Sequence, residues 1–282
     1  MHIVEVGPRD GLQNEKVIVE TKDKIALINA LNHLGVQEIE VSAFVSAKRI
    51  PQLHDAEKVF AGIERSSDTI YSALVPNIQG LERAMAVNVD KLCLFSAATE
   101  TFNEKNIHTS IEGSIERFKA VLARIQNMSF KTRGYISTAF YCPFEGKTPV
   151  EKVRDLTLRL LDLGVDECAI SDTIGKASRD DVSELFEMLL KDIAPTHLAV
   201  HFHDTYGNAK SNIEKAYDLG IRTFDGSIAG LGGCPYAPGT SGNVSTRHVF
   251  EALQTREQQY TVNTDALNKA EELAQKILHK TS

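Results

Sequence analysis

Short runs rich in β-branched residues alternate with longer amphipathic stretches from one end of the chain to the other. The apolar runs fall at 3–6 (IVEV), 38–43 (EIEVSA), 70–75 (IYSALV), 91–97 (KLCLFSA), 133–140 (RGYISTAF), 167–171 (ECAIS), 197–203 (HLAVHFH) and 223–228 (TFDGSI). Each has the length and residue types of a buried strand. Helical periodicity fills the intervals near 21–34, 52–62, 78–88, 109–127, 149–163, 178–191 and 208–219, and recurs over 242–253. Three of these helices run into Leu-Gly, at Leu34-Gly35, Leu163-Gly164 and Leu219-Gly220, where glycine supplies the left-handed residue that ends a helix. Strand and helix repeated in this way predict a parallel sheet. No glycine-rich dinucleotide fingerprint follows the first strand, so the pattern predicts an α/β fold of the closed (β/α)8 TIM-barrel type rather than an open doubly wound sheet. An additional C-terminal helix over 263–279 is expected to cap the barrel or join a subunit interface. No linker or low-complexity tract divides the chain, and 1–282 reads as a single catalytic barrel domain.

The seventh strand carries the first sign of chemistry. In HLAVHFHDTYGN (197–208), His201 and His203 are two residues apart in a strand and so share a face. Two imidazoles on a rigid mount begin a metal site, although a bare His-x-His is more often a structural pair. In a barrel of this kind working residues lie where strands finish. The first strand ends in VGPRDGLQNE with Arg9 and Asp10; the second carries Glu40; the sixth ends in Ser171-Asp172; the eighth leads into GLGGCPYAPGTSGN (230–243). Singly, each has a plain structural role: Arg9 and Glu40 as a salt bridge, Asp172 as a cap of the following turn, Asn243 as the N-cap of the eighth helix. Together, Asp10, His201, His203 and Asn243 offer one carboxylate, two imidazoles and an amide from neighbouring strands, a donor set for a divalent cation with open positions. It suits Mn²⁺, Co²⁺ or Zn²⁺, and Mg²⁺ if water and substrate add oxygens. The glycines and prolines of 230–242 read as a lid, and Cys234 within it as a proton-transfer group. Cys93, Cys142 and Cys168 read as structural.

Composition narrows the class. A net charge of −7 over 282 residues, with no basic stripe, speaks against a nucleic-acid surface. No apolar run is long enough to span a bilayer, and the start of the chain lacks the features of a targeting segment, so no membrane partner and a cytoplasmic location are expected. The four cysteines are far apart with no CxxC pair, which fits a reducing compartment.

From VGPRDGLQNE through EVSAFVS, YCPFEG, SDTIG and HFHDTYGN to SIAGLGGCPYAPGTSGN, the chain resembles the 3-hydroxy-3-methylglutaryl-CoA (HMG-CoA) lyase family of metal-dependent barrel lyases. The resemblance covers nearly the whole chain, and its last motif is the most specific. It implies that Asp10, His201, His203 and Asn243 hold a divalent cation, Mg²⁺ or Mn²⁺. It implies further that Arg9 activates the substrate, that Cys234 is the catalytic cysteine, and that Glu40 and Asp172 belong to the site. The implied reaction cleaves an acyl-CoA, HMG-CoA, to acetyl-CoA and acetoacetate, in leucine breakdown, with Asp10 or His201 taking the hydroxyl proton. Lys16 and Lys48 are candidates for the CoA phosphates. Alternatives are a lyase for a related 3-hydroxyacyl-CoA, a Claisen-condensing enzyme or aldolase of the same barrel group, or a silent CoA-binding barrel. A homodimer is what the resemblance implies for assembly.

Overall fold

The computed structural model describes residues 1–232, 242–257 and 262–279. Eight strands close into a barrel: β1 (His2–Glu5), β2 (Glu38–Ala43), β3 (Ile70–Leu74), β4 (Lys91–Ala97), β5 (Lys131–Ser137), β6 (Glu167–Asp172), β7 (Leu198–Phe202) and β8 (Thr223–Gly226). Every neighbouring pair is parallel, and β1 closes the ring between β2 and β8. The helices around it are α1 (Thr21–Leu31), α2 (Ala56–Gly62), α3 (Ile78–Met85), α4 (Glu100–Ile107), α5 (Ile111–Ile125), α6 (Val150–Asp162), α7 (Arg179–Leu189), α8 (Ala209–Asp218) and α9 (Thr246–Arg256), with α10 (Thr264–His279) packed on α1. The TIM barrel and its extra C-terminal helix are therefore present as the hydrophobic pattern predicts.

The strands are buried on both faces, which is why they read as near-continuous apolar runs. Outward-facing Ile39, Leu92, Leu94, Ile136, Ile170 and Val200 join the helices in one large core. The alternate positions fill the lumen, which is unusually polar. Glu38 and Glu40 come from β2, Arg133 and Tyr135 from β5, His201 from β7 and Asp225 from β8, all buried. The glycines after Leu34, Leu163 and Leu219 have φ of 83°, 97° and 99°, the left-handed stops that the Leu-Gly pairs predict.

Four local details depart from the sequence reading. The expected helix over 52–62 divides into a 3₁₀ turn, Pro51–Leu53, and α2, because Pro51 opens its own turn. Helix α4 is additional: its sequence ETFNEKNI is too polar to show an apolar stripe. The segment after β5 folds into a small hairpin, Tyr141–Cys142 against Gly146–Lys147. The eighth helix begins at Thr246 with Ser245 as its cap, the hydroxyl accepting from the His248 N–H. Asn243 is thus not the N-cap and is left for other work.

Candidate metal centre at the barrel mouth

The chain leaves β1 through a buried π-helical turn, Gly7–Gly11. The Val6 carbonyl accepts from the N–H groups of Arg9, Asp10 and Gly11 at 3.2, 2.7 and 3.2 Å, so the turn is tightly wound and the Arg9 and Asp10 side chains leave from a fixed mount. Glu5 secures it from below. Its Oε1 accepts from the Gly7 and Ile228 N–H groups, both at 2.8 Å, and its Oε2 accepts from the Thr246 hydroxyl at 2.5 Å. One carboxylate therefore joins the Arg9–Asp10 turn, the segment after β8 and the start of α9. Burial pushes Glu5 up to about 7, against the opposing pull of those three donors. A Cβ at Gly7 would stand 2.7 Å from Glu5 Oε1, so a side chain there would displace this carboxylate.

Arg9 is held on two sides. Its Nε donates to Glu40 Oε2 at 2.7 Å and its Nη1 to Asp10 Oδ1 at 2.5 Å. The guanidinium lies over the Tyr135 ring, 5.3 Å from the centroid, while Tyr135 Oη donates to the same Glu40 oxygen at 3.1 Å. A register shift between Glu40 and Ser42 against β3 marks a bulge, the device that re-aims side chains beside sites. Burial works against the Arg9 charge, but Glu40 and Asp10 outweigh it and hold the guanidinium well above its ordinary value. Burial likewise raises Glu40, with Arg9 only partly opposing.

His201 and His203 leave β7 on one face, their rings 5.4 Å apart. The segment 242–244 lies beside the end of β7: Asp204 N–H donates to the Gly242 carbonyl at 2.8 Å and Val244 N–H to the Phe202 carbonyl at 3.0 Å. This pairs Asn243 with His203. The Asn243 amide nitrogen donates to Asp10 Oδ2 at 2.8 Å and to the Leu231 carbonyl at 3.1 Å. One donor atom each from Asp10, His201 and His203 lies within 4.8 Å of the others. Burial would raise Asp10, but Arg9, His201, Asn243 and His203 together hold its carboxyl far below the usual range. Burial and the neighbouring His201 push His203 down to about 3, so it is neutral with a free lone pair. His203 Nδ1 and Asn243 Oδ1 are buried without a hydrogen-bond partner among the described residues. Unpaired buried acceptors are costly, and a cation would satisfy them: the residues present fit a divalent ion held by one carboxylate oxygen, two imidazoles and an amide oxygen.

Arg9, Asp10, His201 and His203 line one end of a cavity of about 850 Å³, whose walls include Asn77, Phe95, Ser137 and Arg117. A volume of this size admits a large organic ligand. The remaining sequence candidates stand elsewhere. Glu40 lies behind Arg9. Asp172 turns its carboxylate to the N–H groups of Lys176 and Ala177, at 3.1 and 2.8 Å, the turn-capping role rather than a place in the cluster; burial raises it to about 7. Lys16 and Lys48 are exposed and neither lines the cavity. Cys234 lies outside the described residues. Cys142, read as structural, accepts from the Thr99 hydroxyl at 3.2 Å and the Phe144 N–H at 3.5 Å. Sequence reasoning missed Tyr135, Arg133 and Asp225, which sit within strands rather than at their ends. A charged residue in the middle of a buried strand, as in RGYIS and TFDGS, was the available signal.

The HMGL-like family model matches residues 1–274. The chain belongs to that family. Among its curated relatives, the cytoplasmic 3-hydroxy-3-methylglutaryl-CoA lyase of Rattus norvegicus is 43% identical over 280 residues, covering 99% of this chain and 82% of the relative. The HMG-CoA lyase structure from Brucella melitensis superposes with a TM-score of 0.95 at 41% identity, covering 99% and 98% of the two chains. An HMG-CoA lyase from Acinetobacter baumannii, solved with coenzyme A and 3-methylmalate, gives a TM-score of 0.93 at 38% identity over 99% and 91%. In this member of the HMGL-like family, no helix among the described residues is long and apolar enough to cross a membrane.

Proposed function

We propose that this chain is a divalent-cation-dependent carbon–carbon lyase that cleaves HMG-CoA to acetyl-CoA and acetoacetate, and so serves leucine breakdown. The observation that carries the proposal is the convergence of three lone-pair donors, Asp10, His201 and His203, beside Arg9 at the end of a large cavity. Relatives across nearly the full length are HMG-CoA lyases by name. Residues 1–282 act as one catalytic domain in this reading.

The cleavage breaks the bond between C2 and C3. The tertiary hydroxyl gives up its proton, the C3 oxygen becomes the ketone of acetoacetate, and the bonding pair moves to C2 as the enolate of acetyl-CoA, which is then protonated. A cation held by Asp10, His201, His203 and Asn243, Mg²⁺ or Mn²⁺, would supply Lewis acidity toward the hydroxyl. Arg9 lines the cavity with Nε and Nη1 occupied, and its Nη2 donates to nothing among the described residues. That nitrogen is the donor for the developing enolate oxygen, a role worth about 10²–10³ in turnover. Glu40 and Tyr135 keep the guanidinium in place. Cys234 delivers the proton to C2, a role supported by its position in the family's glycine-rich motif. Asp172 supports the loop after β6, and Lys16 and Lys48 stand as surface cations for the CoA phosphates. A homodimer in the cytoplasm completes the proposal, the location supported by the names of cytoplasmic relatives.

The test is product identification. The protein with Mg²⁺ or Mn²⁺ converts HMG-CoA into equal amounts of acetyl-CoA and acetoacetate. Condensation of acetyl-CoA with a 2-oxo acid, with HMG-CoA untouched, would make it a condensing enzyme instead.

A further inference from the structure

The two histidines at the barrel mouth are mounted differently. His203 has no partner for its buried Nδ1 among the described residues. His201 is boxed in: Asp225 Oδ2 lies 3.0 Å from its Nδ1, and Tyr135 meets its ring edge-on at 6.0 Å and 81°. Asp225 comes from β8, the strand next to β7, and is buried. Its other oxygen, Oδ1, accepts from Arg133 Nη2 at 2.6 Å. Arg133 reaches across the lumen from β5, is fully buried, and stacks 5.0 Å from the centre of the same Tyr135 ring. The carboxylate therefore cannot rotate away from His201 without abandoning a buried guanidinium.

A carboxylate only accepts hydrogen bonds. With Asp225 Oδ2 against Nδ1, that nitrogen must carry the proton, and Nε2 is left with the lone pair. The opposite tautomer would set a lone pair against a carboxylate and aim an N–H at the cation position. We propose that Asp225, held by Arg133, is a positioning residue that locks His201 in the Nδ1–H tautomer and presents Nε2 to the cation at the barrel mouth. This rests on reading Asp10, His201 and His203 as a metal centre, and adds to it the residue that prepares one ligand before the ion arrives. Such outer partners orient and tune metal-bound histidines, and losing one typically weakens metal binding by about 10–100-fold.

The experiment uses ¹⁵N-labelled, metal-free full-length protein. Long-range ¹H–¹⁵N correlation of the histidine rings reports the tautomer of His201, assigned by comparison with His201→Asn. The expected spectrum shows His201 protonated at Nδ1; protonation at Nε2 in the wild-type protein overturns the proposal. Titration with Mn²⁺ alone, followed by calorimetry, gives the second readout. Asp225→Asn, whose amide can donate to Nδ1 and favour the other tautomer, should bind Mn²⁺ about 10–100-fold more weakly. A folded Asp225→Asn with wild-type Mn²⁺ affinity overturns the proposal. Should that variant fail to fold, the wild-type tautomer decides alone. Failure of the wild-type protein to bind Mn²⁺ would remove the metal reading itself, while the tautomer would still judge the part played by Asp225.

Discussion

Two clusters of buried polar side chains lie along the barrel axis, and they differ in what faces what. At the floor, Glu38 Oε2 meets His2 Nε2 at 3.1 Å and Lys91 Nζ at 2.9 Å, and Glu167 Oε1 meets the same Lys91 at 3.0 Å. There Lys91 bridges the two carboxylates, Glu38 Oε1 is left without a partner among the described residues, and none of His2, Glu38, Lys91 and Glu167 borders the large cavity. At the mouth, a carboxylate and two imidazoles bring acceptor atoms within 4.8 Å of one another, beside a cavity of about 850 Å³. Burial of charge is common to both and identifies neither. What separates a folding device from a candidate reaction centre here is the convergence of three possible ligand atoms, from Asp10, His201 and His203, next to space for a ligand.

The comparison breaks most sharply at Lys91. Replacing it with Met leaves Glu38 and Glu167 without their shared cation, and loss of one partner of a buried ion pair costs about 3–5 kcal/mol. Chemical denaturation should show that loss, while Mn²⁺ affinity per folded molecule stays at the wild-type level. The converse holds at the mouth. Arg9→Met should lower turnover by about 10²–10³-fold with the fold retained, measured as acetoacetate release under saturating substrate. Cys234→Ala should reduce turnover and leave Mn²⁺ binding intact, whereas His203→Ala should weaken both; equal loss of metal in the two variants would contradict the assignment.

A smaller effect separates two carboxylates by sign. Burial would raise Glu38, but Lys91, His2 and Arg133 hold it well below its ordinary value, so its contribution is present above the usual carboxylate range and lost as pH falls. Glu5 is raised from 4.5 to about 7, so its contribution is present below 4.5 and lost as pH rises through about 7. Between those values Glu5→Gln should gain on the wild-type protein by on the order of 1–3 kcal/mol, seen as converging or crossing melting curves. A constant difference across that range would contradict the assigned shift. Smallest is Tyr135→Phe, which removes one hydrogen bond to Glu40 and should cost about 1 kcal/mol of stability.

Much of the fold was legible because the strands are buried on both faces and the helices on one, which gives two distinct periodicities. The Leu-Gly stops were equally plain. Helix α4 was hidden because its eight residues, ETFNEKNI, carry little apolar pattern and it is held by neighbours. The candidate ligands could be read from the ends of the strands. Their supports could not, since Asp225 and Arg133 are 92 residues apart and meet only when the barrel closes. Asn243 was legible as a polar residue after a glycine-rich run. Its place beside His203 depends on the bridge between 242–244 and the end of β7, which no local pattern encodes. Asp172 was ambiguous for the opposite reason, because a strand-end aspartate serves equally to cap the next turn, and here its oxygens go to Lys176 and Ala177.

In the proposed reaction the mouth cluster holds a cation needed to cleave HMG-CoA. This is tested most directly by acetoacetate release from HMG-CoA by the purified protein, after chelator treatment and again after adding back Mg²⁺ or Mn²⁺. Activity should disappear with the chelator and return with the ion. Activity that survives complete removal of metal, or that returns with neither ion, would contradict that role of the cation.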